Sequence, residues 1–103
     1  MGKKRPERTA RRRAERGARE LVRDREKLAA LDIGGSPERP IEVSTSAVIE
    51  GRARAQRCPQ CGGSYRIEDH QAPSATLREV AVRCAQCGVG RRLWFRITVA
   101  APS

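Results

Sequence analysis

The chain has 103 residues, with 22 lysines and arginines against 12 aspartates and glutamates, a formal charge of +10. Tyr65, Trp94 and Phe95 are its only aromatics, so one small domain is the ceiling and its core needs help from a metal or cross-links. No apolar run approaches the length of a membrane-spanning helix, and the N-terminal arm's apolar face lacks the aromatics and large residues in its first half that a membrane-surface role would need.

The charge is uneven. Residues 1–31 hold twelve basic and five acidic groups, net +7; residues 32–50 hold one and four, net −3; residues 51–103 hold nine and three, net +6. This divides the chain into a basic helical arm (1–33), a linker with one strand (34–51), a metal-binding domain (52–99) and a short tail (100–103).

In the arm, Pro6 and Glu7 suit a first helical turn, and Gly34-Gly35 is a stop signal. The alanine-, arginine- and glutamate-rich stretch between them has good helix propensity, although Gly17 costs about 1 kcal/mol. At helical spacing Ala14, Ala18, Leu21, Val22, Leu28 and Ala29 share a thin apolar face. Opposite them Arg5, Arg8, Arg12, Arg16, Arg19, Arg23 and Lys27 form one basic stripe. Such a stripe fits the phosphate backbone of DNA or RNA; it is equally the solvated face of an arginine-rich helix. The first ten or so residues are expected to be disordered when free.

Gly34-Gly35-Ser36-Pro37 and Pro40 mark the linker. Ile41, Val43, Thr45, Ala47 and Ile49 alternate, which predicts one strand ended by Gly51. Residues 52–57 then lead into the first cysteine turn.

Four cysteines form two Cys-x-x-Cys pairs, each followed by glycine: Cys58-Pro59-Gln60-Cys61-Gly62 and Cys84-Ala85-Gln86-Cys87-Gly88. Two thiolates two residues apart reach one metal from a tight turn, and the glycine permits a positive backbone angle that frees amides to face the sulfurs. Two such turns complete a tetrahedral four-sulfur site, which zinc prefers, one ion per chain. The 22 residues between the pairs suit a hairpin returning to the metal. The alternative is two disulfides. Residues 1–20 are arginine-rich and lack the apolar segment of an export signal, so a reducing, cytoplasmic setting is expected, where disulfides are disfavoured.

Strands are predicted at Tyr65–His70, Leu77–Arg83 and Arg91–Val99. In the last, Leu93, Phe95, Ile97 and Val99 point one way, joining Tyr65 and Ile67 in the core, and Arg92, Trp94, Arg96 and Thr98 the other. Trp94 between two arginines would either stack a base, with Arg91, Arg92 and Arg96 on phosphates, or pack under the connector or helix with cation–π contacts. His70 reads as a surface strand residue, because four cysteines already fill a tetrahedron.

The order turn–strand–loop–strand–turn–strand, with Cys-Pro-x-Cys-Gly and Cys-x-x-Cys-Gly at the turns, resembles the zinc-ribbon family, and in particular small bacterial zinc-ribbon proteins with an arginine-rich leader. The resemblance covers about residues 52–99. It implies a small metal-stabilised α+β fold, an N-terminal helix followed by an antiparallel ribbon of three or four strands, and it leaves the activity open. No catalytic constellation is visible: four thiolates leave a zinc no position for water or substrate, and Gly88-Val89-Gly90 lacks the context of a phosphate loop. The expected function is a non-catalytic zinc module associated with nucleic acid, without a small-molecule substrate. The alternatives are a protein-interaction or structural adaptor and a rubredoxin-like electron carrier. Rubredoxins also pair such turns but are acidic and rich in core aromatics, unlike this chain.

Overall fold

The computed structural model describes residues 5–98, with side chains from Thr9 onward. It is a small α+β protein. In chain order it has α1 (Arg5–Leu31), β1 (Ile41–Val43), a 3-10 turn (Ser46–Val48), α2 (Ile49–Ala55), β2 (Tyr65–Gln71), β3 (Leu77–Cys84) and β4 (Gly90–Ile97). Helix is described from Arg5, and residues 1–4 lie outside the described residues, as do Val99 and the 100–103 tail.

The propensity of its alanines, arginines and glutamates carries α1 for 27 residues, roughly 40 Å at 1.5 Å per residue. At its C-terminus the Arg39 guanidinium donates to the Leu31 carbonyl at 3.1 Å, meeting an orphan acceptor where the helix dipole favours a cation. The apolar face predicted for α1 exists but is almost uncovered. Leu21, Val22, Leu28 and Leu31 are all more than 40% exposed, and among the described side chains of α1 only Glu26 and Ala29 are half-buried.

The predicted strand from Ile41 to Ile49 is corrected. Extended pairing stops at Val43; Thr45 keeps an extended backbone, and the chain then turns into α2. The physical reason is the spacing of Ile49 and Ala53, four residues apart. Both are buried as one helical face against the sheet, and Glu50 near the start and Arg52 and Arg54 near the end suit the helix dipole. Gly51 does not end an element; it is an exposed position inside α2.

The sheet order is β1-β4-β3-β2. Strands β2, β3 and β4 form the expected antiparallel ribbon. The fourth strand, β1, joins it in parallel, with Ile41 opposite Phe95 and Val43 opposite Ile97. A parallel neighbour requires a long crossover, here made by α2, the first cysteine turn and the β2–β3 hairpin. The Trp94 amide donates to the Gly34 carbonyl and the Thr98 amide to that of Val43, both at 2.8 Å, which extends this pairing at each end.

One face of the sheet holds the core: Ile41, Val43, Val80, Val82, Leu93, Phe95 and Tyr65, closed by Ile49 and Ala53 of α2 and by Cys58 and Cys84. Leu93 and Phe95 point inward as their alternation predicts, with Ile67 and Ile97 packed partly against them. A bulge between Ile67 and Asp69 shifts the β2 register and sets His70 opposite Val80. His70, expected on the surface, is therefore half-buried.

Candidate metal centre

The two cysteine turns fold alike. Gly62 donates its amide to the Cys58 carbonyl and Gly88 its amide to the Cys84 carbonyl, the latter at 3.0 Å. Both glycines adopt positive φ, +76° and +79°, a region a side chain makes costly. Just before each turn the chain is pinned again, Cys58 N to Gly63 O at 3.0 Å and Cys84 N to Val89 O at 2.9 Å. β3 ends on Cys84 and β4 leaves from Gly90, so the second turn sits at the end of this hairpin. The first is brought beside it by the Ala85 amide, which donates to the Ser64 carbonyl at 2.9 Å.

This arrangement gathers Cys58, Cys61, Cys84 and Cys87 so that all four sulfurs lie within 4.8 Å of one another. The Cys58 and Cys87 sulfurs are 3.6 Å apart and those of Cys61 and Cys84 3.4 Å. A tetrahedron with metal–sulfur bonds of about 2.3 Å has edges of about 3.8 Å, so the four thiols fit a four-sulfur metal site. The separations are well beyond the disulfide bond length of about 2.05 Å. Cys58 and Cys84 are buried, whereas Cys61 and Cys87 face solvent.

Backbone amides prepare the sulfurs for negative charge. Gly63 N lies 3.4 Å from the Cys61 sulfur, and Cys87 N and Gln86 N each lie 3.4 Å from the Cys84 sulfur. The amide of Cys87 first, and that of Gln86 with it, pull the Cys84 thiol down to about 6. The Cys87 thiol moves the other way, to about 12: the Val89 amide lowers it, but burial and the neighbouring Cys58, Cys61 and Cys84 sulfurs together outweigh that amide. Cys61 is also raised; the Gly63 amide lowers it, but the Cys84 sulfur and burial prevail. Four thiols this close cannot all ionise without a cation among them. Behind the site, burial pushes the Tyr65 phenol up, with Arg91 opposing and the Cys58 sulfur adding to the rise.

No family model, curated protein or solved structure matches this chain. Its own geometry therefore carries the reading of the site.

Three residues that sequence reasoning passed over shape the centre. Gly63 is needed for close approach: a Cβ there would lie 2.9 Å from the Cys84 sulfur and 2.9 Å from the Gln86 Cβ. Gln60, between the first two cysteines, reaches out to α1. Its side-chain amide donates to the Val22 carbonyl at 2.9 Å and to the Glu26 carboxylate at 2.8 Å. Glu26 in turn accepts from Arg91. The Gly-Gly run in Cys-Gly62-Gly63 was the available signal for the first; nothing local marks Gln60 or Glu26, whose roles depend on where α1 passes.

The structure divides the arginines proposed for nucleic acid. Arg12, Arg16, Arg19 and Arg23 are exposed along α1, Arg19 within 3.8 Å of Glu15; the side chains of Arg5 and Arg8 lie outside the described residues. Arg92, Trp94 and Arg96 share one face of β4, as predicted. Arg92 is 3.1 Å from Glu79, Arg96 is exposed and Trp94 is half-buried. Arg91 points to the other face. Its side chain is only 10% exposed, is paired with Glu26 and lies 5.9 Å from the Tyr65 ring centroid. Its pair with Glu26 ties α1 to the sheet. His70 is not part of the cysteine cluster.

Proposed function

We propose that this chain is a non-catalytic zinc-ribbon protein that binds one structural zinc ion through Cys58, Cys61, Cys84 and Cys87 and associates with DNA or RNA through α1. The observation that carries the metal part is the closed four-sulfur cluster: four protein ligands fill a tetrahedron and leave no position for substrate, which suits a structural ion. Iron is the alternative metal for four thiolates, and a red colour would reveal it. The nucleic-acid part is supported by the exposure of Arg12, Arg16, Arg19 and Arg23 on a helix that extends a molecule measuring 79 Å in its long dimension and 23 Å in the next. A polycationic rod of this kind tracks a line of phosphates and releases counterions as it does so.

The test has two parts. Elemental analysis of purified protein should give one zinc per chain. Binding to a DNA or RNA duplex should be tight at low salt and weaken steeply as salt rises. Deleting residues 1–19, which removes nine basic and two acidic side chains, should flatten that slope. Absence of binding at about 50 mM salt, where non-specific attraction is strong, would favour a protein-interaction role, for which the uncovered Leu21, Val22 and Leu31 are the available surface.

A further inference from the structure

The C-terminal half of α1 does not lie flat on the sheet. Between them, beside the first cysteine turn, runs an open cleft of about 580 Å³, within the size range of small-ligand sites. Trp94 contributes aromatic surface to its wall, with the buried Tyr65 behind it, and Leu28 and Ile33 contribute apolar surface. Leu28 and Ile33 are 68% and 70% exposed, so this wall offers apolar area to a ligand. Arg25, Arg57, Arg91 and Arg92 line the same cleft against two acids, Glu26 and Asp32. Arg91 is paired with Glu26 and Arg92 with Glu79, which leaves Arg25 and Arg57 against Asp32, a surplus of one positive charge.

A flat apolar surface ringed by guanidinium groups matches one ligand chemistry well: a planar ring joined to a phosphate. The cleft is also continuous with the arm, because α1 carries both the exposed arginines and one cleft wall. We infer that this cleft receives a nucleobase of a single-stranded segment while its phosphates lie along α1. The inference rests on the nucleic-acid reading of the arm and adds to it a preference for unpaired bases. It relocates base contact from the open face between Arg92 and Arg96 to the cleft between Trp94 and α1.

Trp94 is the chain's only tryptophan, so its fluorescence reports on this site alone. The experiment uses the full-length, zinc-loaded protein with three probes: a ten-residue oligothymidylate, a ten-residue oligouridylate and a DNA duplex of ten base pairs. Saturable quenching of Trp94 by the single strands, without comparable quenching by the duplex, is expected; comparing the thymidylate with the uridylate distinguishes a DNA from an RNA preference. Leu28→Glu places a carboxylate on the cleft wall. It should weaken single-strand binding about ten-fold, as for one lost base stack, abolish the quench and leave duplex binding nearly unchanged. Leu31→Glu makes the same charge change on the same helix outside the cleft lining and should bind like the parent. Single-strand binding with constant Trp94 emission, or equal losses in the two variants, would overturn the cleft while sparing the arm. No binding of any probe would remove both readings.

Discussion

Gly63 shows how narrow the tolerances of the metal site are. The two cysteine turns meet there with no room for a methyl group. Gly63→Ala should force the turns apart and cost about 1–3 kcal/mol, as overpacking does, read as a lower melting temperature and weaker zinc retention against a chromophoric chelator. Protons make the second test. Cys61 and Cys87 are both held above the ordinary thiol range, so in the metal-free protein both carry protons at pH 7, and zinc must expel them. Zinc affinity should therefore fall as pH falls, with the logarithm of the affinity changing by at least two per pH unit near neutrality; a competition titration at pH 6.5 and 7.5 measures it. A pH-independent affinity would contradict the assignment of these two thiols as ligands. The cysteines and their trailing glycines were legible in the sequence because spacing and backbone angle are local properties. Gly63 and Gln60 were not, since each answers to a part of the chain far away in sequence.

At the scale of elements, local periodicity was a good guide where a strand is long and one-sided. β4 keeps Leu93 and Phe95 inward and Arg92, Trp94 and Arg96 outward, and that alternation is visible in the bare sequence. It failed between Ile41 and Ile49, where a two-residue alternation and a four-residue helical spacing coexist. The tie is resolved by burial: Ile49 and Ala53 both cover the core only in a helix. The β2 bulge was likewise invisible, because an extra residue in a ladder has no composition of its own. The bulge and the charged residues Glu68 and Asp69 also blunt the free β2 edge against pairing with other chains. The α2 assignment is directly testable. A Cβ at Gly51 would meet nothing within 4 Å, and helical φ/ψ suits alanine, so Gly51→Ala should stabilise the protein by about 0.5–1 kcal/mol. Were residues 41–49 one strand ended by Gly51, the same change would be neutral or harmful; a thermal melt separates the two.

For the molecule as a whole, the organisation is a small head built around the four-cysteine cluster and a long helix that shares little surface with it. Among the described side chains of α1 only Glu26 and Ala29 are half-buried, so the helix is attached at a few points rather than packed. One of those points is Gln60, which sits between two of the cysteines that the metal would join. The turn that would wrap the ion therefore also aims the helix. With the turn intact, the arginines of α1 project along one direction, and a nucleic-acid strand meets a rigid row of charges. With it slack, α1 would be held by fewer contacts and would lose more freedom at each encounter, an entropic loss. Gln60→Ala isolates this effect, since it removes the two side-chain bonds to α1, leaves all four sulfurs, and leaves the Arg91–Glu26 pair as the remaining tie. The variant should keep its zinc and its melting temperature within a few degrees, yet lose about three- to ten-fold in nucleic-acid affinity. Zinc in this chain would then act at a distance: an ion that touches only sulfur would govern how far, and in which direction, the protein can reach.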